Sequence, residues 1–80
     1  MPTHIYTVYI GHYKLPSEFK KDLRRMNDLG FNGYLFNLGD FYSIKAFTSY
    51  KEEQAKYAEG VLKKHNFDVF LEVKEIKPKE

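Results

Sequence analysis

The sequence contains no cysteine and no tryptophan, and 13 Lys and Arg against 11 Asp and Glu leave a formal charge of only +2. Without thiols there is no disulfide framework, no thiolate zinc site and no cysteine nucleophile. That absence assigns no compartment, because exported bacterial domains also do without cysteine. The small charge excess falls short of what polyanion binding ordinarily uses. No apolar stretch approaches the roughly 20 residues of a membrane span, and residues 1–10 lack the shape of a signal peptide. No membrane insertion is therefore expected of this chain, which reads as cytosolic or as a domain of a longer exported protein. Eighty residues allow one domain with one modest core, expected over about residues 5–73, with 74–80 as a charged, Pro78-containing tail that frays. What is present in excess is aromatic: seven Tyr and seven Phe, more rings than one small core readily absorbs.

Periodicity places the elements. Ile5 to Ile10, rich in β-branched and aromatic residues and bounded by Gly11, predicts a strand with Tyr6, Val8 and Ile10 on one face and Thr7 and Tyr9 on the other. Leu15-Pro16-Ser17-Glu18 opens a helix, since Pro is tolerated in a first turn and an acid suits the N-terminal dipole. Phe19, Leu23, Met26 and Leu29 form its apolar stripe, Lys20, Lys21, Arg24 and Arg25 its wet side, and Gly30 its left-handed cap. Phe31 to Asn37 predicts a second strand, with Phe31, Gly33 and Leu35 opposite Asn32, Tyr34 and Phe36. A tight reversal at Leu38-Gly39-Asp40 leads into a third strand, Phe41 to Phe47, in which Tyr42, Ile44 and Ala46 alternate with Phe41, Ser43, Lys45 and Phe47. Ser49 and Glu52 have the spacing of a capping box for a second helix, whose buried stripe is expected at Ala55, Ala58, Val61, Leu62 and His65. Phe67 to Val73 closes the series, with Phe67, Val69, Leu71 and Val73 inward and Phe70 outward.

The order is βαββαβ, and it repeats. A shift of 36 residues lays Tyr6–Ile10 on Tyr42–Ala46, Gly30–Leu35 on Asn66–Leu71, and Met26 on Leu62. Two βαβ halves predict an α+β domain of ferredoxin-like or RNP-like form, a four-stranded antiparallel sheet with both helices on one face. The other face then presents Thr7, Tyr9, Asn32, Tyr34, Phe36, Ser43, Lys45, Phe47 and Phe70. A contiguous aromatic patch on a soluble chain calls for a use. Rings with interspersed polar groups suit unpaired bases, or the apolar faces of sugars. They also serve plain cross-strand packing or cover a partner subunit.

The segment Tyr6-Thr7-Val8-Tyr9-Ile10-Gly11-His12-Tyr13 resembles the opening of the SPOR (sporulation-related repeat) domain, and Phe41-Tyr42-Ser43-Ile44-Lys45-Ala46 followed by Lys51-Glu52-Glu53-Gln54-Ala55 resembles its third strand and second helix start. The resemblance implies a peptidoglycan-binding module that lays glycan strands stripped of their stem peptides across the open face. It further implies attachment to a cell-wall amidase, another hydrolase or a cell-division protein, and a place in the cell envelope or outside the cell. Carried over by position, Tyr9 stands where the family often has a glycan-contacting Gln and His12 where it has Ser. Ser43 and Lys45 match polar positions of the third strand, and Phe47 replaces a Gly. The expected glycan-binding set is Thr7, Tyr9, His12, Asn32, Tyr34, Phe36, Ser43, Lys45, Phe47 and Phe70.

Catalysis is not expected, nor a metal or other cofactor. His4, His12 and His65 are scattered, with no metal-pair spacing. His65 belongs to the buried side of the second helix near its dipole-negative end, which leaves His12, in a loop beside the sheet, as the one candidate for a ligand role. Ser17 and Ser49 read as helix-start residues, Asp40 as a turn residue, and the carboxylates pair with lysines on helix surfaces, as in Glu52 with Lys56 and Glu59 with Lys63. Two other functions remain open. An RNA-recognition-motif-like binder of single strands shares the element order, but its third-strand signature is absent from Phe41–Phe47 and no nucleic acid is expected. A protein-interaction module, including a homodimer through the sheet face, would bury the same rings.

Overall fold

The computed structural model describes residues 2–77. Residue 1 and the Pro78-containing end of the expected tail lie outside the described residues. The elements are β1 (His4–Tyr13), α1 (Lys20–Asp28), β2 (Tyr34–Asn37), β3 (Tyr42–Ser49), α2 (Glu52–Lys64) and β4 (Val69–Glu75). The strands form one sheet in the order β2-β3-β1-β4, every neighbouring pair antiparallel. This is the ferredoxin-like α+β arrangement that the βαββαβ order predicts.

The core lies between one sheet face and the helices. Val8, Ile10, Ile44, Met26, Ala55 and Leu62 are fully enclosed, with Ala46, Ala58, Phe67 and Tyr13 beside them. Each large apolar side chain so buried stabilises the fold by about 1.5–3 kcal/mol relative to exposure. Phe19, Leu23 and Leu29 flank Met26 as the α1 stripe requires. The stripe of α2 ends one position early, however. His65 is exposed rather than buried and caps the helix, with Nδ1 2.9 Å from the Val61 carbonyl oxygen.

Both helices end in the same hydrogen-bond pattern. Gly30 N–H donates to the Asn27 carbonyl and Phe31 N–H to that of Met26; Asn66 N–H donates to Lys63 and Phe67 N–H to Leu62. Gly30 at φ +92° and Asn66 at φ +67° supply the left-handed residue that this closure demands. The following Phe31 and Phe67 fold back onto the core.

The element starts differ from expectation for local reasons. Residues 16–19 form a turn, closed by Glu18 N–H to the Leu15 carbonyl (3.1 Å) and by Leu15 N–H to Glu18 Oε1 (2.7 Å), so α1 begins at Lys20. Ser49 does not close a capping box; its Oγ accepts from Lys51 N–H and donates to Gln54 Oε1 instead. On the surface of α2, Glu59 lies near both Lys63 (3.8 Å) and Lys56 (4.0 Å). At the other end of the chain, β4 extends through Lys74 and Glu75, which were expected in the tail. They pair with Ile5 and His4, and Ile76 N–H reaches the Thr3 carbonyl at 2.8 Å.

Two bulges bend the sheet. On β1, Ile10 faces Ile44 and Tyr13 faces Tyr42, so Gly11 and His12 together oppose Ser43. Gly11, at φ +81°, takes the left-handed conformation of such a bulge, and the strand continues through it instead of stopping there. On β3, Val8 faces Phe47 while Tyr9 faces Lys45, which leaves Ala46 as the extra residue.

Candidate functional site

The sheet face away from the helices is built rung by rung. Tyr34, Lys45, Tyr9 and Phe70 are successive partners across all four strands. Beside them Phe36 pairs with Ser43, which in turn opposes the Gly11–His12 bulge. The hairpin that brings β2 beside β3 turns at Gly39-Asp40, held by Leu38 N–H to the Phe41 carbonyl (2.9 Å) and Gly39 N–H to Asn37 Oδ1 (2.8 Å).

These rungs assemble a continuous train of six rings. Tyr34 meets Phe36 and Phe36 meets Tyr9, each with centroids 6.3 Å apart and tilted planes. Tyr9 stacks on Phe70 at 5.1 Å and 16°. Phe70 takes the edge of Phe41 at 6.2 Å, and Phe41 stacks on His12 at 3.7 Å and 10°. Aromatic pairs of these geometries are favourable beyond the area they bury. The six rings therefore support one another.

Five of the expected residues, Tyr9, His12, Tyr34, Phe36 and Phe70, belong to this train. Their exposures divide them into two groups. Tyr34 is 58% exposed and Phe36 37%, and His12 is exposed, whereas Tyr9 is only 2% exposed beneath its neighbours. Burial, followed by the nearby Glu72 and Tyr34, pushes the Tyr9 phenol above its ordinary pKa. Tyr9 is the floor of the face, not its contact surface. Lys45 lies over the rings, with Nζ 4.4 Å from the Phe36 centroid and 6.0 Å from that of Tyr34, within reach of a cation–π attraction.

The other four expected residues are placed differently. Phe47 is on the opposite face: it pairs with Val8 and packs against the core, because the extra residue at Ala46 reverses the alternation beyond it. Ser43 is fully buried and its Oγ donates to the Gly11 carbonyl oxygen at 2.6 Å, so it ties the bulge across strands rather than facing outward. Thr7 is buried, paired with Thr48 and Glu72. Asn32 is exposed in the loop before β2, outside the ladder.

Three face residues fall outside the expected set. Phe41 shares the alternation of Ser43 and Lys45 and was legible from it. Glu72 follows from the outward placement of Phe70 two residues earlier. Thr48 was not legible, because its outward position depends on the Ala46 bulge. Thr48, Thr7 and Glu72 form the polar end of the face, where Glu72 lies 3.9 Å from Lys74.

Away from this face, the ends of the two helices are tied together. Arg25 Nη2 donates to the His65 carbonyl (2.8 Å), its guanidinium lies 4.3 Å from the Phe67 centroid, and Nη1 is 3.3 Å from Asp22 Oδ1. Asp22 Oδ2 accepts from the Tyr13 hydroxyl at 2.6 Å. Burial, then this hydrogen bond, drives the Tyr13 pKa strongly upward. A hollow of about 190 Å³ lies here, lined by Arg25, Asp28, Leu29, His65 and Phe67. Among the described residues, no three His, Cys, Asp or Glu side chains gather as metal ligands, and no helix is long and apolar enough to cross a membrane. His4 meets Thr3, His12 lies on Phe41 and His65 caps α2, so the three imidazoles share no site.

Rings, one ammonium group and a hydroxylic end suit a ligand that offers flat apolar surfaces edged with polar groups. No protein-family model and no curated protein matches the sequence. Among solved structures, the solution structure of the peptidoglycan binding domain of the B. subtilis cell wall lytic enzyme CwlC superposes with a TM-score of 0.78. The two chains share one fold. The match covers 92% of this chain and 94% of that one at 16% sequence identity, an identity at which the likeness establishes architecture alone.

Proposed function

We infer that this chain is a non-catalytic module that binds peptidoglycan glycan strands across the ringed sheet face. The observation that carries the reading is the six-ring train on the helix-free face of a fold shared with a peptidoglycan binding domain. The resemblance of Tyr6–Tyr13 and Phe41–Ala46 to SPOR domains supports the same ligand. Pyranose rings stack their apolar faces on exposed aromatics while their hydroxyl edges hydrogen-bond to neighbouring polar groups. Here Tyr34, Phe36, Phe41, Phe70 and His12 offer the surface, over a Tyr9 floor. Strands stripped of stem peptides are the preferred form, since peptides projecting from the sugars would hold a strand away from a broad face. The biological setting that follows is the cell wall, as a targeting module of a hydrolase or division protein.

Co-sedimentation with purified sacculi, before and after amidase removal of stem peptides, tests the reading. Retention on sacculi with enrichment on stripped material is expected, and absence of binding to both overturns it. Single-stranded RNA is the contrasting ligand. Phosphate-driven binding falls steeply with salt, and among the described residues Lys45 is the one cation lying over the rings of this face to supply it. Tight, salt-sensitive RNA binding would replace the glycan reading, and a dimer closed over the same rings would compete with it.

A further inference from the structure

Lys45 is the one cation among the rings of this face, and among the described residues it stands in no ion pair. Its ammonium lies over two aromatic faces, and both of those rings, Tyr34 and Phe36, are among the exposed large side chains of the molecule. The nearest anion by ladder position, Glu72, lies on the far side of β1 and is close to Lys74. An ammonium so placed is partly shielded from water by the rings and stands beside whatever the rings bind. A neutral sugar offers it hydroxyls. A carboxylate adds an opposite charge to the same hydrogen bond and makes it an ion pair.

Peptidoglycan presents that choice in one functional group. The lactyl ether of each muramic acid carries a carboxyl that is an amide while the stem peptide is attached and a free carboxylate once the peptide has been removed. A lysine lying over two of the exposed rings separates the two states by charge. We propose that Lys45 is the specificity-determining residue of this face, reading the free lactyl carboxylate of peptide-stripped muramic acid while Tyr34 and Phe36 hold the sugars. This rests on the glycan reading above.

The test uses the 80-residue chain and two soluble ligands. One is amidase-stripped glycan strands; the other is the same strands after carbodiimide coupling of their carboxylates to methylamine. Wild type is expected to bind the free-acid strands about five-fold more tightly, the scale of a partly exposed ion pair. That preference should shrink with added salt. Lys45→Gln should erase it and Lys45→Arg should keep it. Equal binding of both ligands by wild type, or a preference that survives Lys45→Gln, overturns the role of Lys45 and leaves the glycan reading standing. Failure of wild type to bind either ligand removes the glycan reading and the role of Lys45 with it.

Discussion

Phe47 faces Val8 across the β1–β3 ladder, while the adjoining rung pairs Lys45 with Tyr9, so Ala46 has no partner of its own. One unpaired residue thereby moves a phenylalanine from the open side of the sheet to the core side.

Phe47→Ala should accordingly act on stability. Removing a partly buried ring from the edge of the core is expected to cost about 2–3 kcal/mol, somewhat below the loss for a fully enclosed Phe. Urea denaturation reads this directly. Glycan affinity of the folded fraction should be unchanged, and a variant that loses binding at full stability would return Phe47 to the open face.

Tyr34→Ala and Phe36→Ala should act mainly on binding. Tyr34 is 58% exposed and makes one ring contact, so its loss should cost no more than about 1 kcal/mol of folding stability, whereas Phe36, 37% exposed and meeting both Tyr34 and Tyr9, should cost about 1–2 kcal/mol. Each loses a stacking surface worth about 1 kcal/mol, a roughly five-fold rise in Kd for stripped glycan strands. Tyr9→Ala should lower stability as well as affinity, because the other rings rest on it.

Gly11→Ala combines two faults. The backbone sits at φ +81°, and a Cβ there would overlap the Tyr13 ring. A loss of about 1–3 kcal/mol is expected from the backbone conformation alone, with more from displacing Tyr13. Hydrogen exchange at the β1 bulge and thermal unfolding both report it.

Alkaline pH should weaken the fold through Tyr13. Its folded pKa is raised above the ordinary 10.0 by burial and by the hydrogen bond to Asp22. Above about pH 10 the unfolded chain has released a proton that the native state still holds. Stability from this group is therefore fully present below pH 10 and is lost as pH rises toward the folded value. Tyr9 is shifted in the same direction. Urea midpoints followed upward from pH 9 should fall more gently for Tyr13→Phe than for wild type. At neutral pH that variant should be less stable by about 1 kcal/mol for the lost hydrogen bond.

Much of this molecule was written in local pattern. Strand alternation assigned Tyr34, Phe36, Lys45 and Phe70 to the same face, and the 3.6-residue stripe assigned Met26, Ala55, Ala58 and Leu62 to the core. Gly30 marked the end of the first helix. Local chemistry suffices there, because side-chain direction follows from the backbone period and the left-handed residue from the cap.

Pattern failed wherever the period was broken by a partner strand. Alternation carried Phe47 outward, since nothing in Lys45-Ala46-Phe47 announces an extra residue; the bulge exists only in register with Val8 and Tyr9. Ser43 looked like a ligand group, but its hydroxyl is bound to a carbonyl 32 residues away in the sequence. Tyr9 looked like a contact, but rings from β2 and β4 close over it. The amino-acid order by itself determined the order of the elements, the close of the first helix at Gly30 and which strands carry rings. Tertiary structure alone decided which rings meet solvent, because exposure depends on residues that only the folded sheet brings together.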